Sequence, residues 1–174
     1  QRQEELKDNG PAIQMAEFRV YDMENQPYPM HQFAITCLSE GFCDEGCEPD
    51  KLIDGEPGTK FLRRDFGKYP VDVEIDFGQP ILIGSYSWHT ANDTPSRDPV
   101  SWQLQALVKG QWIVVDEVQE CSVPRTRYAQ VGPFGLANVP YENVVATEQY
   151  NLEPPMHVPL YQFEDDHQPD HYLL

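Results

Sequence analysis

Between Ala12 and Leu136 no stretch of ten or more residues keeps the 3.6-residue apolar period of a helix, and this limits the chain more than any other feature. Strand patterns take its place, each of them short. In "YPVDVEIDFG" the residues Val71, Val73, Ile75 and Phe77 alternate with Asp72, Glu74 and Asp76, which predicts a half-solvated antiparallel strand stopped by Gly78 and Pro80. "ILIGSYSWHT" predicts the next, with Tyr86 and Trp88 on one face and Ser85, Ser87 and His89 on the other. "SWQLQALVKGQWIVVDEV" predicts a hairpin that turns at Lys109-Gly110 and puts Trp102, Leu104, Ala106 and Val108 on one face. "RYAQVGPFGL" adds a further strand. Short strands with Gly/Pro turns predict an all-β sandwich or jelly roll, with helices of at most one turn.

The chain has 174 residues, 40% of them hydrophobic, which suits one modest core with extensions. The expected division is an N-terminal extension over 1–11, a sandwich over 12–136, and an extended C-terminal arm over 137–174. The arm is rich in Pro, acids and isolated aromatics, a composition that cannot build its own core. It must lie on its own sandwich or on a partner. Tyr141, Tyr150, Tyr161, Phe163 and Tyr172 are the expected partner-binding anchors, because interface energy concentrates in such side chains. "DDHQPDH", near the end of the arm, offers His167 and His171 to a transition metal, but reads better as solvated tail.

A formal net charge of −17 with only 12 Lys and Arg argues against nucleic acid or anionic lipid as a partner, since both require basic surface. No window approaches the roughly 18 consecutive apolar residues of a transmembrane segment. Four cysteines, Cys37, Cys43, Cys47 and Cys121, suggest two disulfides and an oxidising, non-cytosolic compartment. An organelle lumen such as the thylakoid lumen, the cell surface and the extracellular space all satisfy that expectation. The rival reading, a zinc site, lacks a finger or ribbon spacing and a His among the first three cysteines. No G-x-S-x-G elbow, no Cys beside a His and no phosphate cradle is present, so the chain reads as a non-enzyme.

In "KLIDGEPGTKFL" the turns Asp54-Gly55 and Gly58-Thr59 bring a carboxylate, a hydroxyl and carbonyls together, the oxygen-rich chemistry a hard cation prefers, although such dipeptides also simply mark turns. This stretch, with "VEIDFG", "YSWHTANDTPSRDPVSWQLQ" and "QWIVVDE", resembles the discoidin family, the coagulation factor V/VIII type C domains among the galactose-binding-like β-sandwiches. The resemblance covers about Ala12 to Leu136 and is most specific in "TANDTPSRDPVSW". It implies a jelly roll of about eight strands, usually non-catalytic, that binds glycans, lipids or proteins through loops at one end.

The family's last strand has no counterpart after Leu136, but "IQMAEFRVYD" resembles it, which implies a circularly shifted arrangement like that of some protist and algal relatives. The family's structural Ca²⁺ site then falls on Glu17, Asp54 and Thr59, with carbonyls from Lys51 and Glu56, and Glu17 is expected on the face of Ile13 and Met15. Sugar-reading positions do not carry over. His31, Phe42, Arg63, Arg64 and Tyr69 have suitable chemistry without matching a motif. In the loop between the tryptophans Arg97 is expected to pair with Asp93 or Asp98, and His89 to be solvated. Two functions follow as expectations: an accessory subunit docked on a larger protein assembly, or a Ca²⁺-stabilised carbohydrate-binding module.

Overall fold

The computed structural model describes residues 12–64 and 70–136, and the backbone of 156–161. All regular structure among them is β, apart from three single 3-10 turns at Met30–Gln32, Pro49–Leu52 and Pro95–Arg97. The strands are β1 (Ala12–Met15), β2 (Glu17–Tyr21), β3 (Ala34–Cys37), β4 (Phe42–Cys43), β5 (Phe61–Arg64) and β6 (Val71–Asp76), then β7 (Ser85–His89), β8 (Ser101–Val108), β9 (Gln111–Val118), β10 (Gln130–Gly135) and β11 (Met156–Tyr161). They form three antiparallel sheets in the orders β1-β5-β4, β10-β7-β2 and β3-β6-β11-β8-β9.

One sandwich core joins the three. Ile13, Met15, Phe18, Val20, Phe61, Val71, Val73, Ile75, Tyr86, Trp88, Trp102, Leu104 and Val131 pack together. The alternation of β6 is met residue by residue: Val71, Val73 and Ile75 are buried, while Asp72 and Glu74 are half-buried and Asp76 is exposed. The β8–β9 hairpin turns at Lys109-Gly110 with both residues at positive φ, the backbone that suits a two-residue connection between twisted strands. Trp88 and Trp102 meet edge to face at the centre, 5.8 Å between centroids.

The stretch read as one strand, Ile13 to Asp22, is two strands in different sheets. The break falls at Ala16, whose N–H bonds to the His89 carbonyl, and across it the core set changes from odd residues (Ile13, Met15) to even ones (Phe18, Val20). Glu17 therefore does not share a face with Ile13 and Met15; it alternates with the core residues Phe18 and Val20 along β2, although only 1% of it is exposed.

A second correction concerns the arm. The sandwich does not stop at Leu136, because β11 lies inside the five-stranded sheet, antiparallel to both neighbours. It pairs with β6 from Met156↔Ile75 to Leu160↔Val71, and with β8 at Met156↔Ala106, His157↔Gln105, Leu160↔Trp102 and Tyr161↔Ser101. Pro159, opposite Asp72, has no N–H to give the ladder. Tyr161, expected to anchor a partner, is the last residue of β11; Tyr141, Tyr150, Phe163 and Tyr172, like the 1–11 extension, lie outside the described residues.

Candidate functional site

The structure brings Glu17, Asp54, Glu56 and Thr59 to one corner, where the start of β2 meets the turn after Pro49–Leu52. Gly55 takes a positive φ of 83°, which a residue with a Cβ rarely adopts, and this folds the turn back on itself. The Asp54 carboxylate accepts the Glu56 N–H at 2.9 Å, and the Thr59 hydroxyl lies 2.9 Å and 3.1 Å from its two oxygens. The same hydroxyl is 2.9 Å from the Glu56 carbonyl. A hydroxyl has one proton, so three acceptors crowd a group that can satisfy one of them at a time.

Glu17 completes the niche. Its Oε1 is enclosed and has no hydrogen-bond partner. Burial pushes its carboxyl up to about 7; a hydrogen bond with Asp54 and that residue's charge add to the rise, while Arg19 and the Gly55 backbone oppose it. Lys51 reaches Asp54 with its ammonium group, 3.7 Å from Oδ2, while bonding to Asp50 at 2.9 Å. The oxygen set suits a hard cation: two carboxylates, a hydroxyl and a carbonyl, one carboxylate oxygen buried without a donor. Among the described residues no group of three or more His, Cys, Asp or Glu is placed so that it could hold a metal ion.

The polar loop between Thr90 and Ser101 is a brace, but through other residues than its sequence suggests. Asp98, 1% exposed, is gripped by Arg127 through Nη2–Oδ2 at 2.6 Å and Nη1–Oδ1 at 3.1 Å. Asp93 pairs with Lys60 at 2.7 Å. The fully buried Gln14 ties the loop to β1 by donating to the Asp93 and Thr94 carbonyls at 2.8 Å and 3.0 Å, while its own carbonyl accepts from Lys60. The expected pairing of Arg97 with Asp93 or Asp98 is thus displaced, since both acids are already bound. His89 is half-buried with Nδ1 enclosed and unpartnered; burial and then the charge of Arg19 lower its pKa, so it is not the solvated histidine expected.

Each of the four cysteines is a free thiol here, so the expected disulfides are not formed in this structure. Cys37, Cys43 and Cys47 share one region, in which Cys43 is felt electrostatically by both others. Cys121 follows β9 and borders a cavity of about 240 Å³ with Asp98, Val100 and Val123. Of the residues with sugar-binding chemistry, His31 is exposed and Phe42 is 51% exposed. Arg63 is occupied by the Ser39 and Glu40 carbonyls, Arg64 by Asp44 at 2.8 Å, and Tyr69 lies outside the described residues.

No family model matches the chain, and no curated protein matches it. No helix among the described residues is long and apolar enough to cross a membrane.

Proposed function

We propose that this chain is a non-catalytic binding module of the discoidin type, in circularly shifted order, whose loop end is fastened by a structural Ca²⁺. The carrying observation is the enclosed, partnerless Oε1 of Glu17 beside the Asp54–Thr59–Glu56 oxygens. Glu17, Asp54 and Thr59 would hold the ion, with the Glu56 and Lys51 carbonyls. The ion would neutralise the two acids and lock the turn to β2. Its donors all belong to the protein, so the role is structural rather than catalytic.

Two kinds of ligand fit such a module. Docking on a larger protein assembly draws on the acidity of the chain and on the arm aromatics Tyr141, Tyr150, Phe163 and Tyr172. The pairing of residues 156–161 within the chain's own sheet removes that part of the arm from a partner's reach. Carbohydrate binding draws on the exposed ring of Phe42, on β4 opposite Arg64. The cysteines favour an oxidising compartment, an organelle lumen or the cell exterior, where Cys37, Cys43 and Cys47 could oxidise. Calorimetric titration of the chelated protein with Ca²⁺, followed by a glycan array and a native pull-down with and without chelator, tests the reading. Absence of Ca²⁺ binding at millimolar ion sinks the metal site; a silent array sinks the carbohydrate arm, and a pull-down without a stoichiometric protein sinks the docking arm.

A further inference from the structure

Three of the four cysteines gather around one arginine. Cys43, in β4, is the register partner of Arg63 in β5, and Nη1 of that arginine donates to its sulfur at 3.7 Å. Arg63 also donates through Nη2 to the Ser39 carbonyl and through Nε to the Glu40 carbonyl at 3.3 Å, which ties down the chain just beyond Cys37. Cys47 lies next along β5, its carbonyl accepting the Leu62 N–H at 3.1 Å. Its own N–H closes a turn on the Asp44 carbonyl at 3.0 Å, so the chain after Cys43 doubles back beside it. Cys43 acts electrostatically on Cys37 and on Cys47, as the shared neighbour of both. Cys121 stands elsewhere, after β9, with its N–H on the Val100 carbonyl at 2.7 Å.

The three thiols differ in what surrounds them. Thiol–disulfide exchange is carried by the thiolate, and a cation in contact with the sulfur favours that form. Burial pushes the thiols of Cys37 and Cys47 up, opposed at Cys37 by the Ser39 backbone and the charge of Arg63, and at Cys47 by the charge of Lys60. Burial also raises Cys121, with nothing to oppose it. Only at Cys43 does a guanidinium N–H reach a cysteine sulfur among the described residues. The two possible bonds of Cys43 also differ in effect. Cys37 ends β3 in the five-stranded sheet, whereas Cys43 belongs to the β1-β5-β4 sheet, so a Cys37–Cys43 bond staples two sheets together. A Cys43–Cys47 bond closes a short ring within one loop and leaves the sheets unlinked.

We propose that Cys43 is the attacking and pivotal thiol of a three-cysteine redox site that exchanges with a small-molecule disulfide, with Arg63 stabilising its thiolate. In the first step the Cys43 thiolate attacks one sulfur of the disulfide: a Cys43–S–S–R bond forms, the R–S–S–R bond breaks, and the departing thiolate takes up the proton that Cys43 gave to solvent. In the second step Cys37 or Cys47, deprotonated, attacks the Cys43 sulfur and expels the second small thiol. The balance is two cysteine thiols oxidised and one disulfide reduced to two thiols. The third cysteine can then attack the Cys43 sulfur in turn, which moves the bond without further oxidant. Phe42, with its half-exposed ring, directly precedes the pivot, so the position of the bond sets how firmly that ring is held. The site is independent of the Ca²⁺ niche and of whether the module reads glycans or proteins.

The full chain, reduced and folded, is mixed with oxidised glutathione, quenched in acid at intervals, digested without reduction and mapped by mass spectrometry. The earliest mixed disulfide should sit on Cys43, followed by Cys37–Cys43 and Cys43–Cys47 bonds. Cys43→Ser should form no disulfide between Cys37 and Cys47 under the same conditions. Arg63→Met should slow the first exchange at neutral pH roughly tenfold, and Arg63→Lys should restore most of the rate. In the unmodified chain, a first adduct on any other cysteine, a principal Cys37–Cys47 bond, or thiols that all survive overturns the proposal. Exchange at the parent rate in Arg63→Met, or an equal loss in Arg63→Lys, overturns the role of Arg63.

Discussion

Replacing Glu17 by Gln tests the oxygen niche most directly, because the change keeps the shape and removes the charge. Glu17 titrates at about 7 in the folded chain against an ordinary value of 4.5. Between those two pH values the folded state binds more protons than the unfolded state, so Glu17 subtracts stability as pH rises through that window. The gap corresponds to about 3 kcal/mol, fully felt above pH 8 and absent below about pH 4. Glutamine does not titrate. Urea unfolding in chelator should therefore show Glu17→Gln gaining up to about 3 kcal/mol on the parent protein between pH 4 and pH 8, while effects of the chain's other acids cancel in the difference. In excess Ca²⁺ at pH 8 the order should invert, since the ion stabilises only the protein with both carboxylates. Parallel pH profiles in chelator would refute the desolvated carboxyl, and an order unchanged by Ca²⁺ would refute the ion.

Three other substitutions probe the frame around the site. Arg127→Met strands the buried Asp98 carboxylate and should cost about 3 kcal/mol in urea unfolding, a loss that shrinks as acid protonates Asp98, whose pKa burial already raises in spite of Arg127. Tyr86→Phe removes the hydroxyl that accepts from Trp102 Nε1 at 2.7 Å and donates to Asp116 at 2.6 Å. It should cost about 1–3 kcal/mol, seen as a lower thermal midpoint. Val158→Pro removes a second N–H from β11, opposite Val73, and should destabilise the sandwich by about 1–3 kcal/mol through the lost ladder bond; an unchanged midpoint would mean that β11 contributes nothing to the sheet.

What could be read from the chain was set by local chemistry. The alternation of β6 and the Lys109-Gly110 turn depend on neighbours in sequence, and both are found as expected; in β7 Tyr86 and Trp88 do face the core, but Ser85 and Ser87 on the other face are buried as well. Ala16 leaves no such mark: a change of sheet alters the phase of the apolar pattern by one residue within a run that still looks continuous. β11 was concealed by its own composition. Met156, Val158 and Leu160 do alternate, but Pro159 is a poor omen for an interior strand, and the acidic flanks suggest a solvated arm. The niche drew its members from a family resemblance, and the structure gathers Glu17, Asp54, Glu56 and Thr59. Which acid a distant arginine will reach is a tertiary fact; nothing within the loop favours Arg127 over Arg97 for Asp98.

The order in which strands appear during synthesis bears on how this protein is made. β6 and β8, which flank β11, precede it by about 80 and about 50 residues, and the whole of β10 is complete before β11 leaves the ribosome. At the roughly 5–20 residues per second of translation, the two parts of the large sheet, β3-β6 and β8-β9, wait for seconds with open edges that any other extended segment could occupy. Such late, long-range closure slows folding and exposes the nascent chain to mispairing. The acids that stud the waiting strand, Asp72, Glu74 and Asp76, put like charge along that edge, and charge of this kind disfavours pairing between copies of one edge.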